Sequence, residues 1–292
     1  QKDRYLSQTA SGQLFWGNAI NPVDKRLHAT ANADGTYTLR GAKGFCSGTR
    51  GSDMILVSAW HEEGKRNLVI PMETARPGIT VHEDWDPIGQ RQTDSGAVSF
   101  DNVQASVEEV LGNPGPDGSV FTTLRPCVAQ LILVNLYLGI ALGAFAEARR
   151  YTLEQARPWF SSGVSSIEDD PYIIKRYAEL WLQLKPAVLL ADAAAEELGG
   201  AWECGIALSA EQRGKTALAI AEAKVLAHRA GLDVGTQMFD VMGARATAAR
   251  YGFDRFWRNA RTHTLHDPID YKLRDIGRWA LSGSLPEPSP YS

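Results

Sequence analysis

Residues 127–146, CVAQLILVNLYLGIALGAFA, are apolar almost without interruption. A run of about twenty such residues restricts a chain to two outcomes, a membrane span or a helix buried all round. Two polar side chains, Gln130 and Asn135, interrupt this run, and the sequence holds no second run like it. The expectation is a soluble helix at the centre of a bundle or an oligomer, around which the rest of the fold is arranged.

The hydrophobic period changes near Asn113. Upstream, short β-like runs alternate with turn residues: FWGNA at 15–19, a hairpin at 33–48 turning on Asp34-Gly35, MILVSAW at 54–60, RNLVIPM at 66–72, GITVHEDW at 78–85 and GAVSFDNV at 96–103. Strands at this close spacing predict a small β-sandwich or barrel. NPGPDGS at 113–119 reads as a linker. Downstream the pattern predicts helices at 121–155, 171–197, 209–242, 254–265 and 269–281. The second begins with Asp169 or Asp170 as N-cap and Pro171 in its first turn. The third opens on the capping signal SAEQ and closes at Gly243, and the fourth is stopped by Pro268. Ala217, Ala221 and Ala223, next to Lys224, supply a face that lets helices approach closely. The predicted class is α+β: a β-barrel or sandwich domain over 15–112, then an antiparallel helical bundle over 118–292. Residues 1–14 read as the tail of a helix, so an N-terminal helical domain is expected upstream of this chain.

Charge narrows the function. Thirty-four acidic residues against 30 basic ones leave a net charge of -4, which excludes a general affinity for nucleic acid. Three cysteines, Cys46, Cys127 and Cys204, show no CxxC spacing, which predicts a reducing compartment, the cytoplasm, and no disulfide framework. Cys46 reads as a small buried apolar residue.

Chemistry concentrates in FDRFWRNARTHTLHDPIDYKLRDIG at 253–277, which holds four arginines and two histidines. Arg255, Arg258 and Arg261 recur every third residue and read as a solvated or ion-paired stripe. Trp257 reads as core. His263 and His266 share one face of the predicted helix. With Asp267 they make an HxxH set, but no HExxH pattern or cysteine partner supports a metal. An imidazole with an unperturbed pKa of about 6.5 can give or take a proton at neutral pH.

Several motifs carry a family resemblance that spans essentially the whole chain. IGQRQTDSGAVSFDNV at 88–103 resembles the middle-domain signature of the acyl-CoA dehydrogenase family, and GAKGFCSGTRGSD at 41–53 resembles its flavin-contacting strand. YLSQTASGQLFWGNA at 5–19 is similar to the approach to that family's first flavin-contacting loop. The finer resemblance, on RYGFDRFWRNARTHTLHDPIDYK at 250–272, ARPW at 156–159 and DWDPIGQRQTDSG at 84–96, is to the dibenzothiophene monooxygenase group. That group shares the dehydrogenase architecture but uses reduced FMN and molecular oxygen, the reduced flavin coming from a separate reductase. Where many dehydrogenases carry Tyr-Glu-Gly, with the glutamate as base, this chain carries His266, Asp267 and Pro268.

The resemblance implies a two-component flavin-dependent monooxygenase acting on a small aromatic, sulfur- or nitrogen-containing substrate. It implies roles for single residues too. His266 would orient or protonate the oxygen species, supported by His263. Ser47 and Asn18 would contact the flavin at its reactive face. Phe45 and Trp85 would wall the substrate pocket, with Phe45 also against the flavin. Arg157 and Arg245 would reach its phosphate, in this fold often from a neighbouring subunit, so a homotetramer is expected. An FAD-dependent acyl-CoA dehydrogenase and a flavin-free scaffold that retains the fold remain as alternatives.

Overall fold

The computed structural model describes residues 1–112 and 118–292, so most of the predicted linker, 113–117, lies outside the described residues. The chain divides into two compact units, Gln1–Asp117 and Gly118–Ser292.

The first unit opens with helix α1 (Lys2–Gly12), followed by seven strands: β1 (Trp16–Ala19), β2 (His28–Ala31), β3 (Tyr37–Lys43), β4 (Met54–His61), β5 (Arg66–Glu73), β6 (Ile79–Val81) and β7 (Val98–Ala105). They form one mixed sheet in the order β1-β4-β2-β3-β7-β6, with β5 also paired to β4. Strands β1 and β2 lie parallel to β4; the remaining pairs are antiparallel. Strands β4 and β5 are buried on both faces, which is why they read as continuous apolar runs rather than as alternating ones. Leu27, Leu39, Ile55, Val57, Ile70, Val98 and Phe100 make the centre of this unit's core.

Two strand boundaries differ from the expectation. The hairpin turning on Asp34-Gly35 runs from His28 to Lys43, so residues 44–48 leave the sheet and form the turn that carries Phe45 and Ser47. Only Ile79–Val81 of the 78–85 run is strand. Beyond it the Asp84 carboxylate accepts the Ala97 backbone N–H at 2.8 Å, a side chain taking the place of a ladder partner. At the β3 bulge Gly41 has φ 131, and a Cβ there would stand 2.1 Å from the Arg26 carbonyl oxygen, so this position accepts only glycine.

The second unit is a helical bundle of α2 (Leu124–Gln155), α3 (Pro171–Glu203), α4 (Ala210–Met242), α5 (Asp254–His263) and α6 (Ile269–Ser282). Helix α2 starts later than predicted because Val120–Thr123 winds as a 3-10 turn. Helix α3 runs past its Gly199-Gly200 pair, since Leu198 and Ala201 are buried in the core and packing overrides the weak local propensity. Asp170 caps α3 through the N–H groups of Tyr172 and Ile173, and Ser209 with Gln212 closes a capping box on α4.

Helices α2 and α4 run parallel with α3 antiparallel to both. Arg213 at the start of α4 donates to Thr123 ahead of α2, the Thr152 hydroxyl near the end of α2 donates to Val241 near the end of α4, and Arg176 early in α3 pairs with Asp240. Ala217, Ala221 and Ala223 are buried in the face of α4, as the small-residue reading expected, and so are Ala227 and Ala230. The stretch Val120–Gln155 is, among the described residues, the one helix long and apolar enough to cross a membrane. Its buried residues Val134, Leu138, Ala141, Ala144 and Ala148 belong to the bundle core, while Ile132, Leu142 and Leu153 are exposed.

Candidate active site

The first unit gathers Asn18, Phe45, Ser47 and Trp85. Strand β1 and the 44–49 turn are joined by the Asn18 backbone N–H donating to the Ser47 carbonyl at 2.9 Å. A Cβ on Gly17 would stand 2.7 Å from Thr49 Cα, so this close approach requires glycine. Phe45 has φ 57, a left-handed conformation that is rare for a bulky side chain, and its ring is 74 % exposed. The turn thereby raises an aromatic ring off the sheet, against the edge of Trp85 at 6.1 Å and 82°. Trp85 is itself held by Nε1–H donating to the Gln90 carbonyl at 2.9 Å.

Ser47 is exposed, and its hydroxyl belongs to a directed chain. Thr93 donates to the Gln90 carbonyl, Ser95 donates to Thr93 Oγ1 at 2.8 Å, and Ser47 lies 2.8 Å from Ser95. One proton per hydroxyl makes Ser47 the donor to Ser95, so Ser47 Oγ offers lone pairs outward. Asn18 is exposed too. Its carboxamide oxygen accepts the Ile20 N–H at 2.9 Å, which leaves the NH2 end as the donor. An exposed ring, an acceptor and a donor within a few residues of one turn fit a flat aromatic ligand with a polar edge. Cys46, between Phe45 and Ser47, is buried as expected, and burial pushes its thiol up to about 12.

The second unit gathers His263 and His266. His266 lies just past the end of α5, yet its ring stacks on His263 at 5.8 Å and 13° and meets the edge of Tyr291 at 5.9 Å. Burial, and then the neighbouring His266, lower the pKa of His263 and favour its neutral form. Tyr137 of α2 donates to the His263 carbonyl at 3.1 Å, and burial pushes the pKa of its phenol up. His266 Nδ1–H donates to Asp267 Oδ1 at 3.0 Å. Asp267 is 7 % exposed and takes Lys224 Nζ on both oxygens, at 2.6 and 2.7 Å. Burial opposes its ionisation, but the His266 hydrogen bond and the charge of Lys224 outweigh burial and hold the carboxyl well below its ordinary range.

The bundle does not bring the two predicted phosphate arginines to these histidines. Arg157 follows the end of α2 and Arg245 follows the end of α4; both are exposed. Tyr251 donates to Gln155 at 3.1 Å, tying the end of α2 to the segment that follows α4. A helical rise of about 1.5 Å per residue puts Gly243 roughly 28 Å along α4 from Lys224, which marks the level of Asp267.

Two of the three stripe arginines, Arg255 and Arg258, are bonded locally. Arg258 pairs with Asp254 at 2.8 Å, and Arg255 covers the Phe256 ring and donates to the Tyr251 and Gly252 carbonyls. Trp257 corrects the core reading: its backbone packs on Gly235 and its ring is exposed. Lys224, Gln130, Tyr137 and His228 were missed as neighbours of the histidines. A lysine inside AIAEAKVLA and a glutamine inside the apolar run were the available signals, each a polar group set into a buried stripe.

The middle-domain model of the acyl-CoA dehydrogenase family matches residues 23–103, and its C-terminal-domain model matches 131–271. The chain is 49 % identical to a probable FMNH2-dependent monooxygenase, SfnC, of Pseudomonas putida, over 99 % of this chain and 73 % of that protein. The solved methanesulfinate monooxygenase MsuC of Pseudomonas fluorescens matches with TM-score 0.96 at 47 % identity, over 100 % of this chain and 76 % of that one. FMN-bound TdsC, the dibenzothiophene monooxygenase of Paenibacillus sp. A11-2, matches with TM-score 0.93 at 40 % identity, again over 100 % and 76 %. The chain belongs to the acyl-CoA dehydrogenase family, within its group of FMNH2-dependent monooxygenases.

Proposed function

We propose that this protein oxygenates a small sulfur-containing or aromatic compound, using reduced FMN from a separate flavin reductase and molecular oxygen. The observation that carries this reading is the state of Asp267. It stands where a dehydrogenase would often hold its glutamate base, but both of its oxygens are taken by Lys224 and it is held ionised. A carboxylate so stabilised is a poor proton acceptor, which disfavours acyl-CoA dehydrogenation. The adjacent imidazole, half exposed, is the group able to exchange a proton.

When bound, the reduced flavin supplies the activation of oxygen. The residues of this chain supply the rest. Phe45 and Trp85 give the apolar wall and keep water away. Ser47 Oγ, turned outward as an acceptor, suits the N–H that a flavin gains on reduction, and the Asn18 NH2 group suits a carbonyl or oxygen acceptor. His266 holds or delivers a proton at Nε2, with His263 stacked beneath it. Arg157 and Arg245 offer cations for the flavin phosphate.

The distance between those arginines and the histidines along the bundle supports a shared site, each subunit of a homotetramer lending arginines to another. Three free cysteines and a net charge of -4 agree with a cytoplasmic enzyme. Relatives that act on methanesulfinate and dibenzothiophene, and TdsC solved with indole, set the substrate panel.

The test is oxygen uptake and product mass with chemically reduced FMN and a sulfinate, a sulfide, a sulfur heterocycle and indole. Absence of both FMN binding and turnover would end the reading, and flavin bleaching by an acyl-CoA under anaerobic conditions would favour the dehydrogenase instead. His266→Ala is expected to lower oxygenated product roughly 100-fold and to raise hydrogen peroxide release, with FMN affinity kept. Arg245→Ala is expected to raise the FMN Kd about tenfold or more, read by fluorescence titration.

A further inference from the structure

Lys224 stands in the apolar interior of α4 with a side chain only 1 % exposed. Its ammonium meets three acceptor oxygens: Asp267 Oδ1 at 2.6 Å, Asp267 Oδ2 at 2.7 Å and Gln130 Oε1 at 2.5 Å. An ammonium has three protons and no lone pair, so this set fixes its orientation; burial lowers the pKa of Lys224, and Asp267 is the group that opposes this and favours the charged form. The surrounding groups are Tyr137 from α2, His228 from α4, Arg261 and His263 from α5, Lys272 from α6 and Tyr291 near the chain end. Most of the charge among them is positive; Asp267 faces them, and Asp275 acts on Lys272 as well.

We propose that Lys224 is a positioning residue for His266: clamped to Gln130 and to both oxygens of Asp267, it holds a buried carboxylate that fixes His266 with Nδ1–H inward and Nε2 outward. This rests on the role proposed above for His266. The logic is that of a ring nitrogen whose partner decides what the other nitrogen can do. An ionised Asp267 only accepts, so it demands a proton on Nδ1 and leaves the Nε2 lone pair for the reacting species. A protonated Asp267 would donate to Nδ1 and move the imidazole proton to Nε2, reversing what the ring offers. Lys224 prevents this by keeping the carboxylate charged in a site from which water is largely excluded. A proton arriving at Nε2 leaves the Nδ1–H bond to Asp267 intact, so the ring need not reorient between taking a proton and giving it back.

The test is Lys224→Met in the full-length protein, which removes the charge and keeps the length. The first readout is nitrogen-15 NMR of histidine-labelled protein without flavin, His266 being assigned by its loss in His266→Ala. Wild-type neutral His266 is expected to carry its proton on Nδ1. In Lys224→Met the Nε2–H tautomer is expected to gain. The second readout is product formed per oxygen consumed, expected to fall roughly ten- to a hundred-fold, the range seen when an orienting partner is lost, while FMN affinity holds. A folded Lys224→Met protein with the wild-type His266 spectrum and wild-type coupling would overturn the proposal. If that variant does not fold, Lys224→Met with Asp267→Asn removes both buried charges together and carries the same two readouts, with the same outcome overturning it. An altered spectrum with coupling intact in both Lys224→Met and His266→Ala would overturn the catalytic reading of His266, and any part of Lys224 in turnover with it.

Discussion

At Asp267 burial and pairing act against each other, and pairing wins. The folded-state pKa lies below the ordinary 3.8, so the carboxylate contributes stability that is complete above that value and is lost as pH falls toward the folded pKa. Replacing Asp267 by Asn strands the Lys224 charge and is expected to cost about 3–5 kcal/mol near neutral pH. The gap to wild type should narrow by about 1 kcal/mol in chemical denaturation at pH ~3; an equal gap at both pH values would show that the pair does not govern this region. Lys272 shifts in the same direction for the opposite reason, its charged form being the one the fold disfavours. Burial, and then the charge of Lys224, bring it down to about 8, so stability should rise with pH from about 8 toward the ordinary 10.5.

Among the elements, the first unit's ligand-facing turn depends on a contact with strand β1 that leaves no room for a side chain. Gly17→Ala is expected to push Thr49 away, costing about 1–3 kcal/mol of stability and weakening FMN binding, because Asn18 and Ser47 lose their shared hydrogen bond. Thermal melting with and without FMN checks both effects; an unchanged melting temperature in both conditions would sink the account. On the bundle side the α4 capping box makes a different prediction. Ser209→Ala should cost about 1 kcal/mol with coupling unchanged, since that cap lies at the far end of the helix from Gly243 and below the level of Lys224.

Over the whole molecule, Arg157 and Arg245 occupy one end of the bundle and His263 and His266 its middle. A site shared between subunits predicts complementation. Arg245→Ala and His266→Ala chains, each impaired alone, should regain part of the coupled activity when co-expressed as mixed oligomers. Mixed oligomers no more active than the two parents would mean that each chain builds its site alone.

How far the sequence could be read depended on the range of the forces involved. The bundle helices, the caps at Asp170 and Ser209 and the β character of 54–60 and 66–72 are local matters of period, propensity and side chain-to-backbone bonding, and they were legible. Phe45, Ser47, Asn18 and Trp85 lie in three short motifs whose resemblance implies their roles, and the first unit pairs Phe45 with Trp85 and Asn18 with Ser47. The end of α3 was not legible, since packing of Leu198 and Ala201 carries the helix past two glycines. Nor was the exposed ring of Trp257, whose neighbours belong to another helix.

The sequence by itself determined the succession of a β unit and a helical bundle and the His266-Asp267-Pro268 replacement, because period and order survive in one dimension. Only the tertiary structure decided what Asp267 does. Lys224 and Gln130 lie on α4 and α2, far from it along the chain, and each reads alone as an oddity in an apolar stripe. A buried charge is stable only beside its partner, and that partnership is a fact of packing. The apolar run at 127–146 was read as the centre of the bundle, and the fold makes it a wall whose one buried glutamine completes the lysine's shell.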